Sequence, residues 1–200
     1  MGAIELGAAT ALDLEGKRVE LHTLWQERPA VIVWLRHYGC LFCKEQAADM
    51  WNRRADFDEA GVTLAFIGNG EARYAQNFSE EFVPGATVLS DPELHTYSVI
   101  GAKRGWLRTF GPQVLAGFFR ASAHGYMVGR IRGHATQQGG ALVINRNGTV
   151  AWRYVSKQAG DHPPIDDVLA AAAAGAGTRS KTKWDLGSEE MEREAQPGAS

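Results

Sequence analysis

A chain of 200 residues with 44% hydrophobic content is long enough to bury a real core, so one domain with appendages is expected. A formal net charge of −2 gives no overall bias toward nucleic acid or an anionic membrane. No run approaches the ~18 unbroken apolar residues of a membrane-spanning helix, and the opening MGAIELGAAT lacks the basic start and long apolar stretch of a secretory leader, so a cytoplasmic location is expected.

In chain order, the first predicted element is a hairpin, with Glu15-Gly16-Lys17 turning between short alternating segments around Leu12–Leu14 and Val19–Leu21. Ala30-Val31-Ile32-Val33-Trp34-Leu35 is a continuous apolar run rich in β-branched residues, as expected of a strand buried on both faces. A helix is predicted from near Cys40 up to Gly61, because no Pro or Gly interrupts that stretch. Its apolar phase turns Cys43, Ala47, Met50 or Trp51, and Phe57 inward and leaves Lys44, Glu45, Asp49 and Asn52 outward. Val62–Gly68 is a second buried strand, Glu71–Phe82 a second helix and Thr87–Ser90 a third strand. Ala141–Asn145, Asn147-Gly148 and Thr149–Val155 form a hairpin, and a closing helix starts near Ile165. Alternating strands and helices followed by a hairpin describe an α/β domain with a mixed central sheet. The domain is placed at 1–174 and a disordered tail at 175–200, where Gly, Ala, Ser and charged residues take over.

Both cysteines lie in Trp34-Leu35-Arg36-His37-Tyr38-Gly39-Cys40-Leu41-Phe42-Cys43, at the predicted strand-to-helix turn. Two cysteines in a chain of this length are not the economy of a disulfide-stapled secreted domain; in a reducing cytosol a close pair is catalytic or metal-binding. Cys40 is expected at the exposed tip of the helix, where unpaired N–H groups and the helix dipole lower a thiol pKa from ~8.5 into the range ~3.5–7.5. Cys43, three residues on, falls on the same face, within bonding reach. Arg36, His37 and Lys44 are candidate tuners of that thiolate. Two other readings stay open: a zinc site, for which His37 has suitable spacing but further ligands are lacking, and two reduced cysteines kept as small apolar residues.

The strand–Cys-x-x-Cys–helix unit, together with Leu89-Ser90-Asp91-Pro92, Tyr97, Gln138-Gly139-Gly140-Ala141-Leu142-Val143-Ile144 and Tyr154-Val155-Ser156-Lys157-Gln158-Ala159-Gly160-Asp161-His162, resembles the thioredoxin superfamily. Within it the likeness is to the peroxiredoxin-like alkyl hydroperoxide reductase/thiol-specific antioxidant group and its prostamide/prostaglandin F synthase-like branch. The resemblance implies a thioredoxin-like fold and a thiol-dependent peroxidase or thiol–disulfide oxidoreductase, with Cys40 as nucleophile and Cys43 as resolving thiol. It implies peroxide or disulfide substrates, no bound organic cofactor, and external thioredoxin or glutathione as reductant; a homodimer is compatible with it. Typical members carry Thr three residues and Pro seven residues before the reactive cysteine, where this chain has His37 and Val33. The superfamily's active-site proline and the peroxiredoxin strand arginine fall near Gly140 and Gly139, which implies a slow or specialised enzyme.

Between Leu94 and Gly160 the sequence holds no Asp or Glu, yet it carries Lys103, Arg104, Arg108, Arg120, Arg130 and Arg132 interleaved with Trp106, Phe110, Phe118 and Phe119. An insertion at about 102–137 is long for a plain connection. It is expected to offer a substrate pocket lined by Trp106, Arg108, Phe110, Phe119 and Arg120, suited to an organic or lipid hydroperoxide. Packing into the core is the bland alternative. No recognisable nucleic-acid module accompanies these residues. The competing function is a redox-inactive thioredoxin-fold module binding an anionic or lipid partner.

Overall fold

A computed structural model describes residues 3–102, 134 and 136–176. The pocket candidates Trp106, Arg108, Phe110, Phe119 and Arg120, most of the insertion, and the tail past Ala176 lie outside the described residues.

Seven strands form one mixed sheet in the order β2-β1-β5-β4-β3-β6-β7. The N-terminal hairpin is β1 (Thr10–Leu12) with β2 (Arg18–Glu20). Its turn closes on Asp13, whose carboxylate accepts the backbone N–H groups of Glu15 and Lys17 at 3.0 and 2.7 Å. β3 (Ala30–Leu35) is an interior strand with all six residues buried. It pairs parallel with β4 (Thr63–Gly68) and antiparallel with β6 (Gly140–Ile144). β5 (Thr87–Ser90) extends the parallel side, and β7 (Val150–Val155) closes the other edge.

Because side chains alternate along a strand, β3 feeds two apolar cores. Val31, Val33 and Leu35 pack with residues of α2 (Leu41–Asn52), α3 (Arg54–Glu59), α4 (Ala72–Phe82) and α6 (Ile165–Ala176). Ala30, Ile32 and Trp34 pack with Leu6 of α1 (Ala3–Ala8) and Tyr97 of α5 (His95–Val99). Each fully buried aliphatic side chain contributes about 1.5–3 kcal/mol, so a strand buried on both faces is the part of the chain least free to shift.

Three local features differ from expectation. The single helix predicted up to Gly61 is two, α2 and α3, because the Arg53 N–H bonds the Met50 carbonyl three residues back at 3.1 Å, tightening the turn there. The Arg53 side chain reaches Asp56 at 2.7 Å and Asp166 of α6 at 2.5 Å, and no Gly or Pro stands at the break. Glu45, phased outward by the sequence pattern, is buried. α1 and a 3-10 turn at Leu21–Leu24 were not anticipated; they cover the sheet with Leu6, Leu21 and Leu24.

Polar side chains finish the ends of the central strands. The Tyr97 hydroxyl donates to the Leu35 carbonyl and lies 3.1 Å from that of Ile67. Asp91 holds the start of α5 by accepting the N–H groups of His95 and Thr96, and Thr96 in turn accepts from Trp34 Nε1 at 2.9 Å. Replacing Tyr97 by Phe strips a donor from buried strand-end carbonyls. The expected loss is about 1–3 kcal/mol, read as a lower urea midpoint at unchanged denaturant slope; an unchanged midpoint would contradict it.

Candidate active site

β3 ends at Leu35, and the connection Arg36–Gly39 delivers Cys40 to the start of α2. Two anchors hold this connection. The Cys40 N–H bonds the His37 carbonyl at 3.0 Å. Tyr38, 2% exposed, accepts the Gly68 N–H at 3.1 Å and donates to the Leu89 carbonyl at 2.6 Å, tying the loop to β4 and β5. A Cβ on Gly68 would lie 2.3 Å from the Tyr38 ring, so glycine is required for that ring to lie there.

Cys40 occupies the N-cap position of α2 with extended backbone (φ −75°, ψ 121°). It is not at an exposed tip: Cys40 is 5% exposed and Cys43 1%. Cys40 is buried in an apolar cluster with Tyr38, Phe42 and, from the segment after β7, Ala159.

Arg36 is the residue that addresses both sulfurs. Its backbone N–H donates to Cys43 Sγ at 3.2 Å, its Nη1 lies 3.8 Å from Cys40 Sγ, and its Nε donates to the Gln137 carbonyl at 3.2 Å. The two thiols consequently part in acidity. Cys40 is lowered to about 6, first by the hydrogen bond it receives from the Cys43 thiol, then by the Arg36 charge and the backbone N–H groups of Cys43 and Phe42, against the opposing effect of burial. Cys43 is raised, by burial first and then by its bond to Cys40 and the neighbouring negative sulfur. The helix-end amides expected to activate Cys40 are thus contributors, behind the partner thiol and a buried guanidinium.

The other tuning candidates are placed differently. His37 is buried, its Nδ1 accepts the Gly39 N–H at 3.2 Å, and burial followed by the adjacent Arg36 lowers its pKa to about 4; near neutral pH it is an uncharged acceptor and brings no positive charge. The Lys44 ammonium lies 4.9 Å over the Phe82 ring. Among the described residues no three His, Cys, Asp or Glu side chains converge as a metal site would require.

On the opposite wall stand Gly139 and Gly140. A Cβ at Gly139 would meet the Trp34 carbonyl oxygen at 2.2 Å, and one at Gly140 that of Tyr154 at 2.6 Å. Sequence reasoning missed the buried polar residues Asn69 and Gln137; neither stands in a recognisable motif, and only tertiary proximity brings them to Arg36.

The acidity split sets two pH dependences. Alkylation of Cys40 is expected to follow a midpoint near 6, and Arg36→Gln should raise that midpoint by roughly one unit; an unmoved midpoint would show that the guanidinium is irrelevant. Because the folded-state pKa of Cys40 is depressed, its stabilisation is present above the unfolded thiol value and lost as pH falls through about 6. Urea midpoints of the reduced protein should therefore rise with pH across that window, and Cys40→Ser should flatten the rise.

The AhpC/TSA antioxidant enzyme family model matches residues 49–158, more than half the chain, beginning just after the cysteine pair. The prostamide/prostaglandin F synthase of Bos taurus is 32% identical over 181 residues, covering 86% of this chain and 89% of that protein. Peroxiredoxin-like 2C of Homo sapiens is 31% identical over 178 residues, covering 82% and 79%. The solved peroxidoxin BcpB from Mycobacterium tuberculosis superposes with a TM-score of 0.62 at 19% identity, covering 83% of this chain and 92% of that one, a likeness of fold. With the mixed sheet built around β3 and family sequence running from α2 through β7, the chain belongs to the AhpC/TSA antioxidant enzyme family and is a peroxiredoxin-like thiol-dependent oxidoreductase of thioredoxin-like fold.

Proposed function

We propose that Cys40 is the nucleophile and Cys43 the resolving thiol of a two-electron peroxide reductase. One observation carries this assignment: two adjacent buried sulfurs are driven apart in acidity, with Arg36 and the partner thiol favouring the anion on Cys40. The Cys40 thiolate attacks the terminal oxygen of a hydroperoxide; the S–O bond forms, the O–O bond breaks, and the released alkoxide takes a proton to leave as alcohol. Cys40 is then an uncharged sulfenic acid. Two causes that raised Cys43, the bond to Cys40 and its negative charge, are thereby removed, and the Arg36 N–H already at 3.2 Å from Cys43 Sγ supports the second thiolate. Cys43 attacks the Cys40 sulfur, S–S replaces S–O, and hydroxide leaves as water with the Cys43 proton. External thiols, either one thioredoxin-type dithiol or two glutathione molecules, return both electrons and leave as a disulfide, so the cycle needs no bound organic group.

The 5% exposure of Cys40 favours a peroxide, whose reacting oxygen is small, over a folded protein's disulfide as oxidant. Among the described residues no helix is long and apolar enough to cross a membrane, and a reducing compartment such as the cytoplasm would return the pair to thiols. Mass spectrometry after stoichiometric peroxide tests the roles. Cys43→Ser should trap a sulfenic acid on Cys40 and Cys40→Ser should stay reduced, whereas oxidation of Cys43 first would reverse the assignment. A parent that forms no reversible disulfide would favour the binding-module alternative.

A further inference from the structure

Asn69, immediately after β4, is fully buried at 0% exposure. A side-chain amide brings two donors and an acceptor oxygen, and burying it is costly unless these are paired. Here both donors and the acceptor are used. Nδ2 donates to the Arg36 carbonyl and to the His134 carbonyl at 3.3 Å, while Oδ1 accepts the His134 N–H at 2.6 Å. The Gln137 N–H bonds the same His134 carbonyl at 3.0 Å, so the turn clasped by Asn69 carries the Gln137 carbonyl that receives Arg36 Nε.

We propose that Asn69 is a positioning residue of the thiol centre, holding Arg36 against both sulfurs by fixing its carbonyl and the turn that orients its guanidinium. The proposal rests on the reading of Cys40 as the reactive thiolate. Two peptide groups determine where the Arg36 side chain leaves the backbone. The one before it is tied through N–H to Cys43; the one after it is tied through its carbonyl to Asn69. Releasing the second tie frees the Arg36 backbone to rotate, and releasing His134 frees the acceptor of Nε. A charge at 3.8 Å in a buried site is sensitive to small displacements, because the local dielectric is low.

Among the described residues, the ionisable groups acting on the two sulfurs are each other and Arg36. His37 beside them is uncharged near neutral pH, and Tyr97, whose interaction reaches Cys43, is held well above its ordinary pKa by burial. Arg36 is thus the positive charge by which a neutral amide at position 69 acts on Cys40. A merely structural Asn69 would change stability and leave Cys40 acidity alone.

The test is the pH dependence of iodoacetamide alkylation at Cys40, followed by mass spectrometry of its peptide, in the full chain carrying Asn69→Ala, Arg36→Gln or both. Expected is an upward shift of the midpoint in Asn69→Ala, seen as alkylation at least ~3-fold slower below both midpoints. In the Arg36→Gln background Asn69→Ala should add nothing, the signature of a residue acting through another. An unmoved midpoint in cooperatively folded Asn69→Ala, or an undiminished shift in the Arg36→Gln background, overturns the proposal. If Asn69→Ala does not fold, Asn69→Ser, which keeps one donor, is read by the same two criteria. Arg36→Gln separates the two levels: if it moves the midpoint and the Asn69 variants do not, only this proposal fails; if it does not move it, the reading of the thiol centre fails as well.

Discussion

A guanidinium and an ionisable thiol taken out of water together are tolerable only if each finds partners, since an unpaired buried charge costs several kcal/mol. Arg36 and Cys40, each 5% exposed, meet that condition at one point, just past the end of β3. Everything else about the molecule can be read as a means of keeping that junction assembled. The arginine gives its backbone N–H to one sulfur, a side-chain nitrogen to the other, and Nε to a main-chain carbonyl. Such a pair makes two chemically identical side chains unequal.

The inequality depends on position, and position is supplied by the sheet. β3 is hydrogen-bonded on both sides and buried on both faces, so its last residue is held firmly, and Arg36 inherits that precision. Beyond the strand end the backbone must leave the ladder, and its polar groups need other partners. Tyr97 and Asn69 provide them for the Leu35 and Arg36 carbonyls, approaching from α5 and from the end of β4, while Tyr38 in the loop itself serves Gly68 of β4 and Leu89 of β5. Their polar tips act on main chain while their bodies fill apolar space, an arrangement suited to a site that has to be dry and rigid at once.

Where composition and periodicity carried the information, the fold was legible in the residues. Ala30–Leu35 reads as a doubly buried strand because nothing polar interrupts it, and Asn147-Gly148 reads as a hairpin because the turn needs one left-handed residue, which Gly148 supplies at φ +81°. The Cys-x-x-Cys spacing pointed to the thiol pair for a similar local reason. The burial of Cys40 did not follow from its own helix, because Tyr38 and Ala159, the latter over a hundred residues on, join its apolar cluster. Asn69 and Gln137 were invisible on the same ground: their role exists only once β3, β4 and the approach to β6 lie side by side. Arg53 marks a break in a helix whose sequence holds no Gly or Pro there, and its side chain pairs with Asp166 of α6.

The paired glycines beside Trp34 and Tyr154 have a consequence for protein engineering. Here a pyrrolidine ring at position 140 would have to overlap the Tyr154 oxygen, and any methyl at 139 the Trp34 oxygen, so neither substitution fits without first prising the neighbouring strands apart. Both positions are closed to larger side chains by main chain.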